Sequence, residues 1–282
     1  MKIAGVQMDV RIGDIAGNLQ RMRDRFVEAR KNGAALVVFP ECAVPGYCFN
    51  SREEAREFAQ PIPGPAVEFM ADLCRDHGGL AAFGLLEADG SRLFNSAVLV
   101  GPDGLISRYR KVHLPFLGVD RFTDYGDEPF AVAEAEGVRF GLNICYDAGF
   151  PEPARCLTLL GADLIVLPTN WPPGAECAAD YAINTRALEN TVFYIAVNRV
   201  GEERGFKFIG NSRICDPLGR TLASAPHTDE CILYADIDPA RARQKHSIRI
   251  PGTNEVNRIA DRRPEMYGEI VKPHSLARPG RG

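Results

Sequence analysis

Apolar residues recur along this chain with two alternating periods. Ile3–Asp9 is mostly apolar and predicts an opening strand. Over Asn18–Lys31, Leu19, Met22, Phe26 and Ala29 fall on one helical face, with Arg, Asp and Glu opposite, which predicts an amphipathic helix. Asn32-Gly33 supplies its stop. Ala34–Pro40 is a continuous Val-rich run and predicts a strand covered on both faces. Gly64-Pro65 opens a second helix with Pro in its first turn; Ala66, Phe69, Met70 and Leu73 form its stripe, and His77-Gly78-Gly79 ends it. Strands follow at Leu80–Glu87 and Ser96–Val100, the second joined to Leu105–Tyr109 by the turn Gly101-Pro102-Asp103-Gly104. The rest reads as strand Arg139–Cys145, helix Pro151–Leu160, strand Asp163–Leu167, helix Ala178–Glu189 and strand Val192–Asn198. Two last strands, Phe208–Asp216 and Cys231–Asp236, flank the turn Pro217-Leu218-Gly219.

Two segments repeat one design. Gly33–Glu41 and Gly161–Thr169 each carry a helix end, a buried strand and a Pro. Related halves favour an α/β fold of the layered αββα sandwich type over a single doubly wound sheet. No Gly/Ser linker interrupts the alternation, so residues 1–268 are expected to form a single domain and 269–282 a C-terminal arm lying on the surface or on a partner.

Composition narrows the class. Of 282 residues, 45% are apolar and 25% charged, which suits a globular core and excludes a disordered or collagen-like chain. The longest strongly apolar run, Ala34–Phe39, is far short of the roughly 20 residues of a membrane span. The N-terminus has no signal-peptide apolar region, which predicts a cytoplasmic protein with no membrane partner. The net charge is −4, yet residues 241–282 hold ten Lys/Arg against four Asp/Glu. These cations are dispersed and not interleaved with aromatics, so no nucleic-acid partner is expected. Eight cysteines are too sparse for a disulfide-stapled secreted domain and read mostly as small buried hydrophobes. Cys74-Arg75-Asp76-His77 resembles half a metal site without a second half, so no metal is expected.

Three reactive side chains follow predicted strands, where α/β sheets gather ligands. Glu41 comes directly after Val37-Val38-Phe39-Pro40. A carboxyl group at the rim of an apolar layer has a raised pKa, which suits a general base that also acts as an acid. The plain alternative is a solvated or helix-capping Glu. Cys145 ends Phe140-Gly141-Leu142-Asn143-Ile144, ahead of the Pro151 helix. A strand–turn–helix elbow exposes a thiol and points a helix N-terminus at it, which favours the thiolate. The alternative is a core Cys. Lys111 can offer its charge to an oxyanion, or be an exposed Lys. His113, beside Val112 and Leu114, reads as a structural hydrogen-bonder more readily than as a base.

The order and spacing of the three are more specific than any one alone. Phe39-Pro40-Glu41, Tyr109-Arg110-Lys111-Val112-His113-Leu114 and Asn143-Ile144-Cys145-Tyr146-Asp147 with Phe150-Pro151-Glu152 resemble the carbon–nitrogen hydrolase (nitrilase) superfamily. Gly161-Ala162-Asp163, Pro168–Pro172, Arg186–Asn190, Asn198–Gly201 and Asp261–Glu265 extend the resemblance across residues 1 to about 268. It implies a Glu–Lys–Cys triad, here Glu41, Lys111 and Cys145, on an αββα sandwich without metal or organic cofactor, in a homodimer or larger assembly. It also implies a second acidic residue after the Lys; the best match is Asp120, one methylene shorter than the usual Glu, whose alternative is a surface salt bridge. Tyr146, Asn170, Trp171 and Tyr47 are placed at the same rim as candidates for the substrate pocket. Trp171 reads equally as a packing residue, and Arg186 with Glu189 as a structural ion pair.

The resulting expectation is a hydrolase of small linear amides: an ω-amidase, an aliphatic amidase or a carbamoyl-amine hydrolase. Glu41 deprotonates Cys145, a thioester forms, and water releases the acid. One alternative is a nitrilase, though nitrilases of this superfamily typically carry Trp directly after the nucleophile, where this chain has Tyr146. A second is a non-catalytic scaffold, against which the three intact side chains argue. A thiol redox enzyme would need a Cys-x-x-Cys, which the sequence lacks.

Overall fold

The computed structural model describes residues 1–280 and places the two repeated segments at equivalent positions in two six-stranded sheets. The first sheet runs β14 (Cys231–Asp236), β1 (Lys2–Gln7), β2 (Leu36–Val38), β3 (Leu80–Asp89), β4 (Arg92–Gly101), β5 (Gly104–Arg110). The second runs β6 (Val132–Ala135), β7 (Val138–Leu142), β8 (Leu164–Thr169), β9 (Phe193–Asn198), β12 (Ser212–Cys215), β13 (Thr221–Ala225). A two-residue hairpin, β10 (Glu202–Glu203) and β11 (Phe206–Lys207), lies outside both. In these orders each sheet pairs antiparallel, parallel, parallel, antiparallel, antiparallel. The repeated segments supply β2 and β8, the central strand of each parallel trio.

Alternation along β2 shows how the layers form. Successive strand side chains point to opposite faces. Leu36 and Val38 pack with Leu164, Val166 and Ile195 of the facing sheet, while Val37 and Phe39 pack with Met22, Phe26 and Met70 of the outer helices. Those helices are α1 (Ile15–Lys31) and α3 (Pro65–His77). On the far side α4 (Pro151–Leu159) and α5 (Ile183–Asn190) cover the second sheet. A Cβ at Gly141 would lie 2.9 Å from Leu157 Cδ1, so that glycine lets α4 approach β7 closely. The result is the four-layer αββα sandwich.

Local departures have local causes. α1 starts at Ile15, three residues before the expected Asn18, because Asp14 caps it, accepting from Gly17 N at 2.9 Å. α2 (Arg52–Glu57) has no apolar period to announce it and is set by the Ser51 cap, which accepts from Glu54 N at 3.1 Å. The expected strand Phe208–Asp216 shrinks to β12, because Gly210 and Asn211 take left-handed φ values of 62° and 58°. The expected helix at 178–189 begins as a wider π turn over Ala178–Ala182. Part of the basic tail is neutralised by the body: Arg241 pairs with Asp216 at 3.1 Å and Arg243 with Asp163 at 2.7 Å. Residues 281–282 of the expected arm lie outside the described residues. Among the described residues, no helix is long and apolar enough to cross a membrane.

Candidate active site

The parallel strands β2, β7 and β8 end on one rim, and the loops leaving it carry Glu41, Cys145 and Asn170. Glu41 sits in the turn after β2, backed by β3. A Cβ on Gly84 would lie 2.4 Å from Cys42 N and 2.7 Å from Glu41 Cα. That approach is open only to glycine. Gly84→Ala is therefore expected to push the Glu41 turn aside and lower kcat about 100-fold, the scale of an ångström's misplacement. Steady-state kinetics with a parallel thermal melt check this; a folded variant with unchanged kcat would contradict it.

Lys111 follows β5, its backbone N–H donating to Asn95 O at 2.9 Å. Its ammonium lies between two carboxylates, 2.7 Å from Glu41 Oε1 and 2.6 Å from Asp120 Oδ2. All three side chains are fully buried. Asp120 is thus no surface ion-pair partner; the short turn Gly118–Arg121 turns it inward. Asn95 in β4 bridges the two acids, donating from Nδ2 to Glu41 Oε1 at 2.7 Å and to Asp120 Oδ1 at 2.9 Å. Burial opposes the Lys111 charge, but Asp120 and Glu41 override it and hold its pKa well above the ordinary lysine value. Burial raises the Glu41 pKa, Lys111 opposes the rise, and Asp120 adds to it. Glu41 Oε2 is buried without a hydrogen-bond partner.

Cys145 opens a tight turn after β7, which ends at Leu142 rather than at Cys145 as expected. Its φ of 45° is left-handed, a conformation costing a non-glycine residue about 1–3 kcal/mol. Asp147 holds that elbow. Its Oδ2 accepts from Ile144 N at 2.9 Å and from the Tyr109 hydroxyl at 2.8 Å, and its Oδ1 accepts from His113 N at 3.1 Å. The elbow is thereby tied to the segment bearing Lys111. Burial and the neighbouring Glu41 carboxylate push the Cys145 thiol well above its ordinary pKa, outweighing Lys111, Thr169 and the Asn170 backbone. A thiol raised in this way suits activation by a neighbouring base.

The other candidates divide. Tyr47 does not offer its hydroxyl to a pocket. It is fully buried, and the hydroxyl donates to Asp120 Oδ2 at 2.8 Å. Its backbone N–H donates to Glu203 Oε2 at 2.9 Å, and Glu203 pairs with the buried Arg199. Tyr146 is 44% exposed and sets its ring edge-on to Phe150 at 5.1 Å. Asn170 is fully buried, with both side-chain polar atoms unpaired. Trp171 is buried as part of the hydrophobic core, its backbone N–H held by Asn198 Oδ1 at 2.7 Å. His113 Nδ1 lies 2.7 Å from Asp147 Oδ1, and its ring stacks on Phe150 at 4.0 Å, which is the structural role expected of it. Arg186 pairs with Glu189 at 2.8 Å and donates from Nε to Ala148 O at 3.2 Å, bracing the elbow.

Sequence reasoning gave no role to Asn95 or Asp147. Asn95 had one signal, a polar pair, Asn95-Ser96, inside an otherwise apolar strand. Asp147 stood within a quoted motif but reads as an ordinary loop acid. Among the described residues, no three His, Cys, Asp or Glu side chains are grouped as metal ligands would be.

Comparison with known proteins gives a consistent picture. The carbon–nitrogen hydrolase family profile matches residues 2–246. A protein named nitrilase from Pyrococcus abyssi is 43% identical over 268 residues, covering 95% of this chain and 99% of its own. An (R)-stereoselective amidase from Pseudomonas sp. is 32% identical, covering 95% of this chain and 94% of its own. Among solved structures, a mutant amidase from Nesterenkonia sp. AN1 with the acetamide moiety of fluoroacetamide covalently added at its active-site cysteine superposes with a TM-score of 0.78 at 25% identity, covering 94% of each chain.

Proposed function

This chain belongs to the carbon–nitrogen hydrolase family, and from that membership we propose that it is an amidase that cleaves small linear, non-peptide amides through a Cys145 thioester. The observation that carries the reading is the buried convergence of Glu41, Lys111 and Asp120, with Glu41 Oε2 left free of partners. Glu41 Oε2 takes the Cys145 proton as sulfur attacks the amide carbonyl carbon. The carbonyl π pair moves to oxygen, and the oxyanion is met by the Lys111 ammonium and the Tyr146 backbone N–H. Two Lys111 N–H bonds are engaged by carboxylates, which leaves the third for this task. The C–N bond then breaks as protonated Glu41 gives its proton to nitrogen, releasing ammonia or an amine. Water next attacks the thioester, Glu41 accepts its proton, and collapse returns the thiol and the carboxylic acid. Glu41 acts twice as base and twice as acid, which its raised pKa suits. Asp120 never leaves Lys111 in this scheme; it keeps the ammonium charged and in place.

The Pyrococcus abyssi relative's name favours a second reading, hydrolysis of nitriles. Tyr146 directly after the nucleophile, in place of the Trp typical of the superfamily's nitrilases, weighs against it. Ammonia release from matched amides and nitriles of equal chain length separates the two. Turnover of amides with little from nitriles is expected; turnover confined to nitriles would overturn the amidase reading.

A further inference from the structure

Asn95, to which no sequence motif pointed, touches Glu41, Lys111 and Asp120 at once. It is fully buried in the middle of β4. Its backbone carbonyl accepts the Lys111 N–H at 2.9 Å. Its two amide hydrogens go to separate acids, Glu41 Oε1 at 2.7 Å and Asp120 Oδ1 at 2.9 Å. Its Oδ1 faces the Cys42 thiol, with Sγ at 3.6 Å. The chemistry fixes this orientation. A flipped amide would set its oxygen against two carboxylates, which only accept. Cys42 follows Glu41 directly, has a left-handed φ of 47°, and is fully buried. Burial and the Glu41 carboxylate keep its thiol protonated, so it remains a donor.

We propose that Asn95, locked by the Cys42 thiol, is a positioning residue that clamps Glu41 Oε1 and Asp120 Oδ1 together and so leaves Glu41 Oε2 as the oxygen that exchanges a proton with Cys145. The proposal rests on the reading of Glu41 as the base. One amide holding both acids also explains how two carboxylates and one ammonium stay together in a dry site. The clamp engages Glu41 as the anion, so it favours the ionised, working form. An asparagine serves where an Asp would add a third negative charge and a Leu would leave both acids short of a donor.

The test reads the thiol directly and does not depend on which substrate the enzyme prefers. The pH dependence of Cys145 alkylation by iodoacetamide is followed by site-resolved mass spectrometry in the full-length protein, its Asn95→Ala variant and its Cys42→Ala variant. Loss of the clamp removes a hydrogen bond to ionised Glu41, so a higher pH is needed to ionise it. The alkylation inflection is expected to move up by about one pH unit in Asn95→Ala and by less, in the same direction, in Cys42→Ala. A role confined to packing would lower stability without moving the inflection. Should Asn95→Ala fail to fold, the Cys42→Ala inflection decides alone. An inflection unchanged from wild type in every variant that folds overturns the proposal. A wild-type profile with no inflection between pH 4 and the thiol's own ionisation overturns the base reading of Glu41 instead, so the two failures are distinguishable.

Discussion

Cys145→Ala is expected to abolish amide hydrolysis, with kcat reduced by at least about 10⁴-fold, while the protein stays folded. Removing the nucleophile of a covalent hydrolase removes the acyl-enzyme path altogether; only oxyanion stabilisation and substrate binding remain. The fold should tolerate the change. Cys145 is a small residue, and Asp147 holds its elbow through the neighbouring Ile144 N–H. Alanine loses the thiol but keeps the elbow, and the left-handed φ of 45° burdens it as it burdens cysteine. An unchanged melting temperature together with a wild-type rate would show that hydrolysis proceeds elsewhere on the molecule.

Lys111→Met is expected to damage both rate and stability. The ammonium bonds two fully buried carboxylates, at 2.7 and 2.6 Å. Methionine matches its length without its charge, which leaves the Glu41 and Asp120 carboxylates, both bonded to Asn95, without the Lys111 ammonium between them. Breaking a buried pair by removing one partner typically costs about 3–5 kcal/mol, which for a chain of this size lowers the melting temperature by roughly ten degrees. The loss of an oxyanion partner lowers kcat by about 10²–10³-fold. The sign of the pH effect follows from the same contacts. Lys111 lowers the Glu41 pKa, so without it Glu41 gives up its proton only at higher pH, and the acid limb of kcat/KM moves upward. Calorimetry and a pH–rate profile on one preparation measure all three effects. A variant with wild-type stability and an unmoved acid limb would show that the two acids are not held by this charge.

Much of this architecture was legible in the chain because buried strands and amphipathic helices carry their periods in the sequence. The repeated Gly-Ala-Asp/Ala-Leu-Val/Ile-Val segment placed β2 and β8 as partners in related halves, and the two sheets share one pairing pattern. What period cannot show is pairing across the chain. Asn95 lies 54 residues from Glu41 and 25 from Asp120, and only the β3–β4–β5 ladder and the turn after it bring them together. Asp120 shows the same limit: in Gly118-Val119-Asp120-Arg121 a charged residue reads as exposed, yet Lys111 and the Tyr47 hydroxyl draw it in. Tyr47 was placed near the right chemistry but on the wrong side of it, because a tyrosine after Pro45-Gly46 carries no sign of where its hydroxyl goes. The upward pull on the Cys145 thiol was out of reach for the same reason: helix N-terminus effects are local and readable, whereas burial and a carboxylate 104 positions earlier are not. Edge strands β6 and β13 escaped notice for a different reason: only one of their residues is fully buried, which dilutes the alternation.

The central claim is that one sulfur carries the acyl group. Rapid mixing of the enzyme with a turning-over amide, acid quench and site-resolved mass spectrometry tests it most directly. An acyl adduct on the peptide bearing Cys145, forming before the acid product and decaying as product appears, is the expected result. Steady turnover with no adduct on that peptide, or with the adduct on another of the eight cysteines, would contradict it.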